Sequence, residues 1–277
     1  MRKILKSLSI FRVLLAISLT FFVSACEEKS PAPSQPKMQQ PAQQPKAPVQ
    51  TNQTQSKNNR YVWPPVAAKD EEIVLAQNLF AKNYFLVLDD SGSMNDKDCA
   101  DNKRKIDAAK IALAKFANLV PESANLGLMS FDDRKYTEWV PLGVNDKRHK
   151  ELFASSLKPI EPVDGTPLHN AVAKGFNALE KQAQKQLGYG EYHFVIITDG
   201  QANSGQEPEK AVDFILNNTP IVIHTIGFCI GTDNSLNQPG RTIYATATNP
   251  QELSQGLQDV LAESASFSDI GDFKQSK

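Results

Sequence analysis

Short side chains that carry oxygen atoms occur in three separate loops of this sequence. The first loop spans residues 89–93 (Asp-Asp-Ser-Gly-Ser), the second residues 164–167 (Asp-Gly-Thr-Pro) and the third residues 198–201 (Thr-Asp-Gly-Gln). Hydroxyl and carboxylate oxygens are hard ligands that suit Mg²⁺, although oxygen ligands alone discriminate poorly among Mg²⁺, Ca²⁺ and Mn²⁺. The residue types therefore predict a cation site, with Mg²⁺ as the first candidate and Mn²⁺ or Ca²⁺ as alternatives.

The segments before two of these loops must bring them together. Residues 84–88 form a continuous apolar run that ends at Asp89, which is typical of a central strand covered on both faces. Residues 193–198 predict another strand, and the third loop follows it. In an open α/β sheet the ligand crevice lies outside the carboxyl ends of the strands, so the loops are expected to converge at that edge.

From residue 74 onward, strand and helix patterns alternate, which is typical of an α/β domain with a mostly parallel sheet. The short polar turn around residues 132–134 predicts an antiparallel pair. We predict an open, doubly wound, mostly parallel sheet with one antiparallel edge strand. The other predicted strands are residues 126–131, 139–142 and 221–228, and the predicted helices are residues 106–120, 149–157, 167–179, 208–217 and a final helix that opens at residues 249–250.

The positions of the oxygen-bearing residues resemble a known family. Asp89, Ser91 and Ser93 match the Asp-x-Ser-x-Ser motif of von Willebrand factor A (VWA) domains, and Thr166 and Asp199 match the distant threonine and aspartate of their metal-ion-dependent adhesion site (MIDAS). The resemblance implies a VWA or Rossmann-like fold over residues 83–265. It also implies that the hydroxyls bind the metal directly or nearly so, that the two aspartates act mostly through water, and that an acidic side chain of a protein ligand completes the coordination.

Other functions remain open at this point. The resemblance implies a binding module and no enzyme, but a Mg²⁺-dependent phosphatase of the haloacid dehalogenase type also places an aspartate after its first strand. That family needs a second aspartate two residues later, where this chain has Ser91, and it places its distal acids after a late strand, unlike Asp132 and Asp133. A third interpretation is a structural domain of envelope assembly, in which the ion only holds the loops together.

The first 25 residues predict a lipoprotein signal peptide. Four basic residues and no acidic residue occur there, followed by an apolar run that is shorter than the roughly 20 residues of a membrane-spanning helix. Residues 23–26 (Val-Ser-Ala-Cys) resemble the lipobox of bacterial lipoproteins, which implies that Cys26 is lipidated and anchors the chain to a membrane. Glu27 then favours the outer membrane in a Gram-negative host. An ordinary secretory signal and a permanent membrane helix are the alternatives.

The amino-acid composition separates the segments that lie outside the signal peptide and the predicted domain. Residues 26–60 are rich in Pro, Gln, Ser, Asn and Lys and cannot bury enough apolar surface to order themselves, so we predict a disordered tether. Residues 61–82 form a pre-domain segment and residues 266–277 a tail. Beyond the signal peptide 26 basic residues face 31 acidic ones, which argues against a nucleic-acid partner.

Cys99 and Cys229 fall on the edge that bears the predicted site. In an oxidising envelope they are candidates for a disulfide, with two reduced thiols as the alternative. A zinc site is disfavoured because no histidine pair lies near them in the sequence. His169 is expected to cap or pack, and His224, which lies in an apolar strand, is expected to be a hydrogen-bonded core residue.

Overall fold

The computed structural model describes residues 60–67 and 72–268. The predicted signal peptide, Cys26 and nearly all of the tether lie outside the described residues, so lipidation at Cys26 stays a prediction. Within the described ranges, no helix combines the length and the apolar character needed to cross a membrane.

Among the described residues, six strands form one sheet in the order β3-β2-β1-β4-β5-β6. Only β2 and β3 pair antiparallel; the other neighbours are parallel, which confirms the predicted fold class with its antiparallel edge strand. The two strands that end in the loops of interest, β1 and β4, are adjacent at the centre of the sheet. The strands are β1 (Lys82–Asp89), β2 (Asn125–Phe131), β3 (Tyr136–Val144), β4 (Glu191–Thr198), β5 (Val222–Phe228) and β6 (Ile243–Ala247).

In the part of the chain that the structure describes, five α-helices cover the two faces of this sheet. Asp146 begins α2 by accepting a hydrogen bond from the backbone N–H of His149 (2.8 Å), which satisfies a free donor of the first turn. Pro250 stands at the start of α5, a position where its missing N–H costs nothing. The helices are α1 (Lys105–Leu119), α2 (Lys147–Ser156), α3 (Leu168–Lys185), α4 (Glu209–Asn218) and α5 (Pro250–Ser268).

The alternation of side chains along β1 divides the core into two layers. Leu86 and Leu88 pack with α1, α2 and α5, whereas Phe85 and Val87 pack with α3 and α4. Burial on both faces explains why the strand reads as a continuous apolar run. The predicted apolar stripe of α1 is fully buried, and its members are Ile106, Ala109, Leu113, Phe116, Ala117 and Val120.

Strand β6 is absent from the predicted set. It pairs parallel with β5 at the sheet edge, and its first residue, Ile243, is exposed. An edge strand with one covered face carries few apolar residues, so its sequence lacks the continuous run that marks β1 and β4. The sheet is therefore one strand wider than the sequence pattern indicates.

Two histidines are buried side by side at the start of β4 and within β5. His193 Nδ1 and His224 Nε2 are 3.2 Å apart, which confirms His224 as a hydrogen-bonded core residue. Burial lowers the pKa of His193 to about 4, and burial together with the neighbouring His193 lowers the pKa of His224 to about 3. Both rings are therefore neutral in the folded protein near neutral pH.

This neutral pair makes the stability depend on pH. Both folded-state pKa values lie below the unfolded value, so the stabilisation is complete above about pH 6.5 and is lost as the pH falls toward 4. Between pH 7 and pH 5 we expect the wild type to lose about 2 kcal/mol per histidine relative to a His193→Gln/His224→Gln double variant, measured by urea unfolding. A difference that stays constant over this range would contradict the prediction.

Candidate metal centre

Asp89, the last residue of β1, organises the first loop. Its carboxylate is fully buried: Oδ1 accepts a hydrogen bond from the backbone N–H of Ser91 (2.9 Å), and Oδ2 accepts one from the hydroxyl of Thr198 at the end of β4 (2.6 Å). The loop then enters a short 3₁₀ turn, Gly92–Asn95, which the buried side chain of Met94 fastens to the core. These contacts fix the positions from which the two serines project.

The serine hydroxyls of the first loop meet the aspartate of the third. Ser91 Oγ and Ser93 Oγ are 3.2 Å apart, and Ser93 Oγ donates a hydrogen bond to Asp199 Oδ1 (2.7 Å). Asp199 directly follows β4, and its side chain is fully buried. The carboxyl ends of two adjacent parallel strands thus bring together residues more than one hundred positions apart.

Thr166 reaches the same place from the second loop. Its backbone N–H donates to Asn203 Oδ1 (3.0 Å), and the N–H of Asn203 donates to the carbonyl of Thr166 (3.0 Å), which ties the second loop to the third. A methyl group at Gly200 would lie 3.4 Å from Thr166 Oγ1 and 3.8 Å from Ser93 Oγ, so both hydroxyls face the same small region. A Cβ atom at Gly92 would overlap the carboxylate of Asp164, which explains the glycine where the first two loops touch.

Burial and the proximity of other negative charges raise the pKa values of two acidic residues in this region. Burial raises the pKa of Asp89 to about 7; the hydrogen bonds from Thr198 and Ser91 oppose this rise, and the charge of Asp199 adds to it. Burial also raises the pKa of the neighbouring Asp90 to about 6. Gathering carboxylates in a dry pocket is costly unless a positive charge is close to them.

Lys105, at the start of α1, supplies one positive charge. Its ammonium lies 3.0 Å from Asp199 Oδ2 and 3.2 Å from Asp98 Oδ1. Burial works to lower the pKa of Lys105, but the hydrogen bonds and charges of Asp199 and Asp98 outweigh burial and raise it overall. The sequence analysis missed this residue, because nothing in its spacing distinguishes it from the other lysines of α1.

These side chains fit a hard divalent cation. Three hydroxyls and two carboxylates provide oxygen donors only, as Mg²⁺ or Mn²⁺ requires. Each oxygen of Asp89 already accepts a hydrogen bond, which favours an action on the cation through an intervening water. The structure thus brings the five predicted residues to one edge of the sheet; that they bind a metal stays a prediction.

The distal acids of the phosphatase alternative are engaged in other contacts. Asp132 Oδ1 accepts hydrogen bonds from the backbone N–H groups of Arg134 (2.6 Å) and Lys135 (3.1 Å) and so shapes the β2–β3 turn. Asp133 Oδ1 accepts one from Asn203 Nδ2 (2.8 Å) and helps to hold the second and third loops together. Their geometry supports roles in loop structure.

The remaining candidates lie beside this centre. His169 is held by contacts with the loop after β4: its backbone N–H donates to the carbonyl of Gln206 (2.8 Å), and its ring Nδ1 lies 3.2 Å from the carbonyl of Glu207, as a packing role requires.

Cys99 and Cys229 are free thiols, and their sulfur atoms lie within 4.8 Å of each other. A disulfide bond between Cys99 and Cys229 is therefore not formed in the structure, and this disulfide stays a prediction.

A comparison with protein families agrees with the observed fold. Residues 84–201 match the family model described as von Willebrand factor type A domain, and the observed strand order completes the same α/β fold through β5, β6 and α5. Residues 84–201 are therefore similar to von Willebrand factor type A domains, in agreement with the resemblance of the sequence motif.

Individual relatives are distant. YwmD of Bacillus subtilis (strain 168), described as an uncharacterized protein, is 28% identical over 160 residues, which cover 53% of this chain and 67% of YwmD. The vWF domain of the type V pili tip protein Mfa5 from Porphyromonas gingivalis has a TM-score of 0.52 at 12% identity and covers 72% of this chain and 98% of that domain. Proximal thread matrix protein 1 from the mussel byssus, in a structure with a zinc-occupied MIDAS motif, has a TM-score of 0.51 at 19% identity and covers 67% of this chain and 46% of that protein. The two structural likenesses show the fold alone.

The hydrogen bond between Thr198 and Asp89 is expected to stabilise the edge of the sheet. Thr198→Val removes the hydroxyl that donates to Asp89 Oδ2, and we expect a loss of about 1–3 kcal/mol in the free energy of unfolding, measured by denaturant titration in EDTA at pH 8.

Thr225→Val is the matched control for this prediction. Thr225 is equally buried on the neighbouring β5, but its hydroxyl has no hydrogen-bond partner among residues 60–67 and 72–268. The same change should therefore alter the free energy of unfolding by less than about 0.5 kcal/mol or increase it. Equal losses in the two variants would show that the hydrogen bond to Asp89 is unimportant.

Proposed function

We propose that this chain is a metal-dependent protein-binding module, used for adhesion or as a scaffold, of a lipid-anchored protein of the bacterial envelope. The observation that carries the proposal is the convergence of Ser91, Ser93, Thr166 and Asp199 at one edge of the sheet. Ser91, Ser93 and Thr166 would hold the cation through their hydroxyls, with Asp89 and Asp199 acting through water. When bound, the cation would offer a coordination position to a carboxylate of the partner.

The charges around the centre support a requirement for metal. Asp133 and Asp164 lie on the rim, where the N–H of Asp133 donates to the carbonyl of Asp164 (3.2 Å), and Asp90 and Asp199 lie deeper. Lys105 offsets only part of this negative charge. Without a divalent cation, this edge of the sheet repels an acidic side chain of a partner. With the cation bound, the same side chain is attracted. An acidic partner should therefore bind only when the metal is present.

The structural relatives support a binding role outside the cytoplasm. One is a domain of a type V pili tip protein, and another is a thread matrix protein with a metal-occupied MIDAS motif. A lipid anchor at Cys26 would hold such a module at the envelope, on a tether of some 34 residues. Labelling with palmitate that depends on Cys26, compared with a Cys26→Ser variant, tests the anchor.

Metal binding is the first expected property of the centre. Isothermal titration with Mg²⁺ and Mn²⁺ should show one cation per chain, and Thr166→Ala should weaken its affinity by about tenfold or more, because a hydroxyl ligand is lost. Thr246→Ala, an exposed change on β6, is the control and should leave the affinity unchanged. Equal affinities in the wild type and Thr166→Ala would refute the assignment.

The wild type and Thr166→Ala also test the binding of a partner protein. In affinity capture from envelope extracts, proteins retained by the wild type and lost both in EDTA and with Thr166→Ala would be the metal-bridged partners. Neutralising their carboxylates should release them as well. Loss of folding upon removal of the metal, with no partner recovered by cross-linking, would instead indicate an ion that only holds the loops together.

Lys105 should set the strength of metal binding. Lys105→Met removes a charge that lies 3.0 Å from Asp199 Oδ2, and we expect Mg²⁺ to bind about tenfold more tightly while the metal-free protein becomes less stable. Lys110→Met is the control on the same helix, because its ammonium pairs with Glu161 (3.3 Å), away from the centre. Weaker Mg²⁺ binding by Lys105→Met, in a folded protein, would contradict this electrostatic role.

A further inference from the structure

A second group of possible ligands lies beside the hydroxyl-rich centre and differs from it in chemistry. The sulfur atoms of Cys99 and Cys229 and a carboxylate oxygen of Asp98 all lie within 4.8 Å of one another. We infer that these three residues form a separate site for a thiophilic cation of the Zn²⁺ class, bound by the reduced thiols.

The backbone holds the two cysteines in place. Both have a positive φ, 53° for Cys99 and 63° for Cys229, which is uncommon for residues with a side chain. The N–H of Cys229 donates to the carbonyl of Ala247 (2.8 Å), and its thiol donates to the carbonyl of Asp98 (3.2 Å). Two segments about 130 residues apart are thus kept in unusual conformations that bring their sulfur atoms together, and such conformations cluster at functional sites.

The spacing is suitable for tetrahedral coordination. Zn–S bonds of about 2.3 Å place two sulfur ligands about 3.8 Å apart, so atoms already within 4.8 Å need to move by about 1 Å or less. Both cysteines are partly exposed, and the side chain of Asp98 is 61% exposed, so an ion can enter from solvent. Three protein ligands leave the fourth position to water.

Lys105 contributes to the charge balance of this group. Two thiolates and the carboxylate of Asp98 would carry three negative charges. A divalent cation would offset two of them, and the ammonium of Lys105, 3.2 Å from Asp98 Oδ1 and shared with Asp199, would offset part of the third. Burial and the neighbouring Cys99 raise the pKa of Cys229. A thiol binds a metal as the thiolate, so binding of the cation would release protons.

The sequence analysis disfavoured zinc because no histidine pair is near these cysteines. The structure supplies a different third ligand, Asp98, which directly precedes Cys99 and gave no separate signal in the sequence. Sulfur ligands favour soft or borderline cations, whereas hydroxyls favour hard ones, so the two sites should differ in their preferred ion, although Zn²⁺ also occupies the MIDAS motif of proximal thread matrix protein 1. A disulfide between Cys99 and Cys229 uses the same sulfur atoms and is the competing outcome.

The test uses Cd²⁺ as a spectroscopic probe and the full-length chain reduced by a phosphine. One equivalent of Cd²⁺ should produce an ultraviolet thiolate-to-cadmium charge-transfer band, and excess Zn²⁺ should abolish it. Cys99→Ser and Cys229→Ser should lose the band, and Asp98→Asn should weaken Cd²⁺ binding by about tenfold. Circular dichroism of each variant establishes that it is folded.

Two controls separate this site from others in the chain. Thr166→Ala should keep the band, so loss of the hydroxyl-rich centre and loss of the thiol site can be told apart. Cys26→Ser should keep it as well, because that cysteine lies elsewhere in the sequence. Absence of a band in the reduced wild type, or its persistence in both Cys99→Ser and Cys229→Ser, would overturn the inference. Failure of bound Zn²⁺ to protect the two thiols from alkylation or from oxidation to a disulfide would overturn it too.

Discussion

The hydrogen bond from Thr198 to Asp89 joins the ends of the two central strands, and the arrangement of the functional edge depends on it. β1 and β4 are adjacent and parallel, with Leu88 paired to Ile197, so the residues that follow each strand leave the sheet side by side. A buried carboxylate needs donors, and Asp89 obtains them from Thr198 and from the N–H of Ser91. Because both hydrogen bonds end on the carboxylate of Asp89, they hold the first loop next to the third.

Lys105 is the next constraint, because its ammonium contacts acids that belong to two different groups. It pairs with Asp199 beside the hydroxyls and with Asp98 beside the thiols. A buried lysine stays charged only where carboxylates compensate for the lost water, and here two of them do so. A change of charge beside Asp98 or beside Asp199 therefore alters the electrostatic interactions of the same ammonium. The hydroxyl-rich group and the thiol group are thus coupled electrostatically, and no conformational change is needed.

The sequence predicted what depends on periodicity and on motif. The apolar run before Asp89 and the stripe on α1 are determined by local burial, and both agree with the structure. The antiparallel pairing of β2 and β3 follows from their short connection. The positions of Asp89, Ser91 and Ser93 within one loop could be read directly from their spacing.

What the sequence did not predict depends on contacts between distant segments. Lys105 is one lysine among several near the start of α1, and only the packing of α1 on the sheet brings its ammonium to Asp199. Asn203 holds Thr166 through two hydrogen bonds that span 37 positions of the chain. Strand β6 is half covered and short, so its residues carry too little apolar character to stand out. No local pattern encodes these three features.

The same edge of the sheet separates two kinds of donor within a short distance. Hydroxyls and carboxylates gather around Ser93 and Asp199, and sulfur atoms gather around Cys99 and Cys229. A hard cation gains little from the thiols, whereas a thiophilic cation gains more from them than from the serines, so the two groups would differ in the cation that each prefers. Because Lys105 pairs with a carboxylate of each group, it places a positive charge between them, which would disfavour a cation that is shared by Asp98 and Asp199. Any selectivity at this edge would therefore depend on the donor atoms that the loops present and on this one buried ammonium.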